Sequence, residues 1–200
     1  IVYIVLRPVD KIAELKISSQ LNSSLTPVHD AVRRLAAEGR VTIQSKRSAV
    51  VAKFTDKEIK EIGSIRLVQD ILSAELASYY GSAADFEQLE HLATVCEEAA
   101  EQGNIYKRIH AEGDVHLKIA EISGNTNLYQ HQYSVYQQIH LIQISKYTSI
   151  EDSLLQIHHH LPIIEALRNG EIAKLRKLIC MHIQDFFQID PYLLKCYGNR

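Results

Sequence analysis

The spacing of apolar positions changes character partway along the chain. From Asp56 onward, apolar residues return every three or four positions, the period of an amphipathic helix. Asp56–Tyr80 carries Ile59, Ile62, Ile65, Leu72, Leu76 and Tyr79, and Asp85–Gln102 carries Phe86, Leu89, Leu92, Val95, Cys96 and Ala99. Asn104–Ile122 stops at Ser123–Gly124–Asn125, and Asn127–Lys146 follows, rich in Tyr, Gln and His. Ser153–Arg168 ends at Asn169–Gly170, Glu171–Ile189 runs up to Pro191, and Tyr192–Tyr197 adds a turn. A Gly or Asn directly after an apolar-periodic run is a helix stop. Long helices joined by short turns, with no strand pattern or repeat, predict an antiparallel bundle over residues 56–200.

Before that point the pattern is mixed. Asp10–Leu21 predicts a helix with Ile12, Leu15, Ile17 and Leu21 as core candidates. A second helix is expected to open at Thr26–Pro27, with Thr26 as N-cap and Pro27 in the first helical position, where its missing N–H costs nothing. Val28, Ala31, Val32 and Leu35 form its apolar face and leave His29, Arg33 and Arg34 on the other. Glu38–Gly39 closes it, and two β-prone runs, Val41–Ile43 and Ala49–Ala52, flank the polar loop Gln44–Ser48 with its adjacent cations Lys46 and Arg47. Ile1–Leu6 reads as the tail of a preceding helix, broken at Arg7–Pro8. Helix, turn, helix and hairpin in this order predict a winged helix-turn-helix over residues 1–55, whose second helix enters a DNA groove while the hairpin tip lies along the backbone. The expected fold is therefore mainly α, with a small N-terminal hairpin, and Phe54–Asp56 is the seam.

Charge sharpens this division. Residues 1–55 hold nine Lys or Arg against four Asp or Glu, whereas residues 56–200 hold thirteen against twenty, which together give the net −2 of the chain. A basic small module joined to an acidic larger one is expected when only the first meets phosphate. With 46% hydrophobic residues the chain can build ordinary cores, and no apolar run approaches the length of a membrane span. The first residue is not Met, so a leading segment is expected ahead of Ile1. Cys96, Cys180 and Cys196 lack the spacing of a disulfide framework and favour a reducing, cytoplasmic setting.

The ten histidines bear on the bundle. Glu112 and His116 are four apart and share a helix face. His160 and His182 lie about equally far on either side of Asn169–Gly170, so a hairpin of the last two long helices brings them to one height, with His158 and His159 as rivals for the first place. One carboxylate and three imidazoles make a candidate set for a divalent transition metal, Zn²⁺ first, with Ni²⁺, Mn²⁺ or Fe²⁺ as alternatives. A bundle hydrolase using the same residues around a ligated water is a competing reading, but no separate general base has fitting spacing.

The order of these parts resembles the GntR family of bacterial transcription regulators, in the subfamily with the FCD (FadR C-terminal) domain. The resemblance rests on LNSSLTPVHDAVRRL from Leu21 to Leu35, on Glu38-Gly39-Arg40-Val41, on Glu112, His116, Ile119-Ala120 and Ser123-Gly124-Asn125, and on His160 ahead of Ile164-Glu165-Ala166-Leu167 with His182 further on. It runs from about Pro8 to Ile183. It implies a homodimer, joined through the helical domain, that binds double-stranded operator DNA and a small carboxylate metabolite. It further implies Glu112, His116, His160 and His182 as metal ligands, with Glu112 standing where the family usually has Asp. Arg66 is implied as the partner of an effector carboxylate, although its spacing from Asp70 is also that of a helix-surface ion pair. Ser24, Thr26, His29, Arg33, Arg34, Lys46 and Arg47 are the implied DNA-facing residues. Leu25 and His29 replace two family arginines, and Ser48 replaces the wing glycine, so an altered or relaxed operator preference is expected. A sensor or dimerisation partner that has lost DNA contact is the alternative.

Overall fold

The computed structural model describes residues 6–44, 48–147 and 160–198, and divides into two compact units, Ile1–Phe54 and Thr55–Arg200. The described residues form nine helices and one two-stranded antiparallel hairpin.

In the first unit, α1 spans Glu14–Gln20, α2 Leu25–Ala37, β1 Val41–Gln44 and β2 Ser48–Val51. Val41 pairs with Val51 and Gln44 with Ser48. The helix expected from Asp10 starts four residues later. The reason is a competing backbone partner: Val9 and Ile12 donate their N–H groups to the carbonyls of Val51 and Ala49, and Lys11 bridges Val50, so this segment runs extended beside β2. Two of its proposed core residues, Leu15 and Leu21, are largely exposed. The small core instead gathers Val32, Val41 and Ala49, with Ile12, Leu35 and Ala36 packed against them.

α2 opens at Leu25 with Ser24 as its extended N-cap residue, rather than at Thr26–Pro27. Pro27 therefore occupies the third helical position. It is accommodated there because the first four N–H groups of any helix lack intrahelical acceptors. The start of the chain expected to be a helix tail (residues 1–5) and the wing-tip cations Lys46 and Arg47 lie outside the described residues.

In the second unit, α3 spans Asp56–Tyr80, α4 Ala83–Glu101, α5 Ile105–Ile122, α6 Thr126–Lys146, α7 His160–Arg168, α8 Ile172–Phe187 and α9 Pro191–Gly198. Local chemistry fixes many of these ends. Thr55 with Glu58 and Ser82 with Asp85 form reciprocal capping boxes at α3 and α4. Asn104 and Asn125 accept the N–H groups of Lys107 and Leu128 at the starts of α5 and α6. Gly124 and Gly170 follow α5 and α7 with φ of +70° and +68°, a left-handed conformation that glycine adopts without steric cost. Residues 153–159 of the expected fifth helix, with the rival histidines His158 and His159, lie outside the described residues.

α4 packs along α5, α3 against α8 and α5, and α5 against α6. Leu67, Leu89, Ile109, Ile139, Ile164, Leu167, Leu175 and Phe187 are sealed from solvent in this core, each aliphatic side chain stabilising the fold by roughly 1.5–3 kcal/mol. α3 lies close against α8 at Gly63, where an added Cβ would be 2.4 Å from that of Phe187. The phase of α3 departs from expectation. Ile65, Leu72 and Tyr79, proposed as core, are exposed, while Arg66, Asp70 and Ser73 on the same helix are buried. Among the described residues, no helix is long and apolar enough to cross a membrane.

Candidate functional site

α3, α5, α6, α7 and α8 each send polar side chains into one enclosed region of the second unit. Glu112, His116, His160 and His182 are all at most 3% exposed. His116 and His182 bring their Nε2 atoms to 3.1 Å. The rings of His160 and His182 meet at 4.8 Å between centroids, and one ligand nitrogen from each of the three histidines lies within 4.8 Å of the others. Helix geometry explains the convergence. His160 opens α7 and His182 lies in the second half of α8, so the turn at Asn169–Gly170 folds one back onto the other.

Glu112 is brought to the same region but is engaged differently. Its Oε1 lies 3.3 Å from Arg66 Nη2, and its Oε2 lies 3.0 Å from Arg108 Nη1 and accepts from Gln143 Nε2 at 2.9 Å. Its approach to the imidazoles is longer, 3.9 Å from Oε1 to His182 Nε2. Arg66 is buried rather than on the helix surface. It donates from Nε to Asp70 at 3.1 Å and from Nη2 to His116 Nε2 at 3.1 Å, and stacks over the rings of Tyr136 and Phe187. The i,i+4 pair with Asp70 thus exists and belongs to the interior.

Asp70, expected from its spacing only as a surface partner of Arg66, is buried in the chamber. Its carboxylate accepts from Gln132 at 2.6 Å and from the Tyr136 hydroxyl at 3.1 Å, and its Oδ2 is 3.3 Å from His116 Nδ1. With Nδ1 held by a carboxylate, His116 turns Nε2 toward His182, the arrangement in which an outer carboxylate orients a metal-binding imidazole. Arg108, stacked on Tyr147, was missed. The only trace of either in the sequence is the four-residue spacing, Arg66 to Asp70 and Arg108 to Glu112.

The electrostatics follow from burial and these contacts. Burial pushes the pKa values of His116 and His182 well below the ordinary imidazole value, reinforced for His116 by Arg66 and His160 and for His182 by His160 and His116, so these rings stay neutral and able to bind a Lewis acid. Burial acts against the Glu112 carboxylate, but Arg108 and Arg66 outweigh it and hold the group ionised. Burial likewise opposes charge on Arg66, and Tyr136, Asp70 and Glu112 outweigh it. The chamber therefore contains the guanidiniums of Arg66 and Arg108, the ionised Glu112, the Asp70 carboxyl, whose pKa burial raises against the pull of Arg66, and the neutral rings of His116 and His182.

In the first unit, Ser24, Thr26, Arg33 and Arg34 are exposed along α2. His29 is half-exposed, and its Nδ1 is 3.0 Å from the Glu14 carboxylate of α1. Leu25, one of the residues standing where the family has arginine, is 44% exposed.

A winged helix-turn-helix followed by an all-helical unit with an enclosed polar chamber is the architecture of a DNA-binding transcription regulator. The family models agree: that of the bacterial regulatory proteins of the gntR family matches residues 1–51, and that of the FCD domain matches residues 61–185. The chain belongs to the GntR family of transcription regulators, FCD subfamily. It is 24% identical over 186 residues to the HTH-type transcriptional regulator YdhC of Bacillus subtilis, covering 89% of this chain and 83% of that one. It is 21% identical over 183 residues to the Nta operon transcriptional regulator of Aminobacter aminovorans, with 90% and 84% covered. The solved structure of Escherichia coli McbR/YncC shares the fold with a TM-score of 0.82 at 18% identity, over 96% of this chain and 90% of that one.

Proposed function

We propose that this regulator senses a small organic acid through a divalent transition metal held by His116, His160 and His182. The observation that carries the reading is the convergence of the three buried imidazoles. Two nitrogens bound tetrahedrally to Zn²⁺ at about 2.1 Å stand roughly 3.4 Å apart, and the 3.1 Å between the Nε2 atoms of His116 and His182 is near that value. Neutral imidazoles suit Zn²⁺, Ni²⁺ or Fe²⁺. The residues present fit such an ion, with Glu112 as a carboxylate at the margin of the set rather than a fourth equal partner. When bound, the ion supplies an open coordination position for a carboxylate. Arg66, whose Nη2 is 3.1 Å from His116 Nε2, would offer its guanidinium to the same anion.

Homodimerisation through the helical unit is part of the proposal. Ile65, Val68, Leu72 and Tyr79 make an exposed apolar stripe along α3, which suits burial against a second copy. The two DNA-binding modules of such a dimer must match the spacing of operator half-sites. An effector that binds one bundle geometry better shifts the pair toward or away from that spacing, by no more than its differential affinity.

The test is metal analysis of the purified protein followed by thermal shift. Stoichiometric metal in the parent and none in a His160→Ala/His182→Ala variant is expected. A small dicarboxylate at about a hundred times its Kd is expected to add about 2.7 kcal/mol of stability, or several degrees in Tm, and chelator should abolish the shift. A protein that holds no metal after loading and dialysis would remove the metal from the reading.

A further inference from the structure

The DNA-binding unit carries a feature that its role as a phosphate-binding module does not explain. Leu15 of α1, Leu25 of α2 and Ile43 of β1 are 72%, 44% and 52% exposed. They line a single recess of about 790 Å³ together with Thr26, His29 and Arg33 of α2. One exposed leucine is ordinary, but three large aliphatic side chains gathered around the outward face of a recognition helix are not. The unit is basic, with Arg33 and Arg34 exposed on the same helix, so its occupant is a polyanion that also offers hydrocarbon. In the major groove of duplex DNA the hydrocarbon is the C5-methyl group of thymine.

His29 supplies the second half of the argument. Its Nδ1 is held 3.0 Å from the Glu14 carboxylate, fifteen residues earlier in the chain. In the neutral ring, Nδ1–H donating to a carboxylate leaves Nε2 as an acceptor. An acceptor suits the N6 amino group of adenine or the N4 amino group of cytosine and has nothing to offer N7 or O6 of guanine; between the first two, the thymine methyl facing the apolar side chains singles out A·T.

We propose that the first turn of α2 reads an A·T pair in the major groove, with Leu25 against the thymine methyl and His29 Nε2 accepting from adenine N6, while Arg33 and Arg34 hold phosphates. Leu25 and His29 are then specificity-determining residues, and Glu14 is a positioning residue that fixes the imidazole. The proposal rests on the reading of this chain as a duplex-DNA-binding regulator.

The experiment uses the full chain and a duplex selected by it from a random-sequence library. Affinity is measured by fluorescence anisotropy with single thymines replaced by deoxyuridine, which removes the methyl and nothing else. Loss of one contacted methyl is expected to weaken binding about fourfold at one position per half-site, and Leu25→Ala is expected to abolish that difference. Leu25→Arg is expected to shift the selected base at that position toward guanine. Glu14→Gln is expected to relax the adenine preference while the slope of log affinity against log salt stays unchanged, because no phosphate contact is lost. Salt-sensitive binding that ignores deoxyuridine at every position would overturn the A·T reading and leave DNA binding intact. Failure to bind any duplex at low salt would overturn the DNA-binding reading itself, and this one with it.

Discussion

The two units place their side chains against the usual rule in opposite directions. The first, a small basic module, leaves Leu15, Leu25 and Ile43 in solvent around one recess. The second, much larger, seals Arg66, Arg108, Asp70 and Glu112 away from it. Each inversion has a cost: exposed hydrocarbon favours unwanted association, and a buried charge must be paired and hydrogen-bonded to persist. A sequence that breaks the inside–outside rule in one place while obeying it elsewhere marks where a ligand is read. On the proposals made above, the first unit meets its ligand outside the fold and the second takes its ligand in.

The largest effect should come from breaking the interior pairing. Glu112→Leu leaves the Arg66 and Arg108 guanidiniums with Asp70 as the remaining carboxylate among their ion pairs. A loss of about 3–5 kcal/mol is expected in urea unfolding, the usual cost of removing one partner of a buried pair. A loss under about 1 kcal/mol would mean the chamber is wet enough to solvate the arginines, and the contrast between the units would fail.

A middling effect is expected from pH. His140 of α6 is mostly buried beside Gly113 and stacks edge-on with His110. Burial lowers its pKa to about 4, with His110 adding to the effect. The unfolded chain takes up a proton near pH 6.5 and the folded chain does not until the lower value is reached. Stability contributed by the neutral ring is therefore complete above pH 6.5 and falls as pH drops toward 4. The loss should be about 3 kcal/mol, seen as a falling Tm, and His140→Leu should flatten that part of the profile.

The smallest effect belongs to the first unit. Leu25→Ala removes an exposed side chain and should change stability by no more than about 0.5 kcal/mol, with a melting curve that overlays the parent. A larger loss would show that Leu25 supports the fold, and the recess would lose its meaning as a reading surface.

Much of the fold was legible. The bounds of α3 coincide with the periodic run Asp56–Tyr80, and the ends of α5 and α7 fall where Gly124 and Gly170 stand. The errors have physical causes. Asp10–Ile12 was read as helix because its apolar spacing says nothing about a strand edge supplied from forty residues away. Of the residues expected in the core of α3, Ile59 is buried whereas Ile65, Leu72 and Tyr79 are exposed, because the helix carries apolar residues on two sides and its buried side is partly polar. The histidines were singled out because imidazoles at matched heights of a hairpin are visible as spacing. Asp70 was read as a surface partner and Arg108 was missed because an Asp or Arg in helical register looks the same on a wet face as in a chamber, and only packing distinguishes them.

The balance of charge inside the bundle has a further consequence. Glu112 is held ionised between Arg66 and Arg108, burial raises the pKa of Asp70, and burial keeps the rings of His116 and His182 neutral, so the enclosed space has no surplus of negative charge. A dication entering alone would add its charge uncompensated in a medium that screens poorly. Compensation must arrive from outside, as a hydroxide or a carboxylate riding in with the ion. If the chamber holds the proposed ion, its uptake and that of its anion would be tied together in one step, like the two ions of a salt entering a solvent of low polarity.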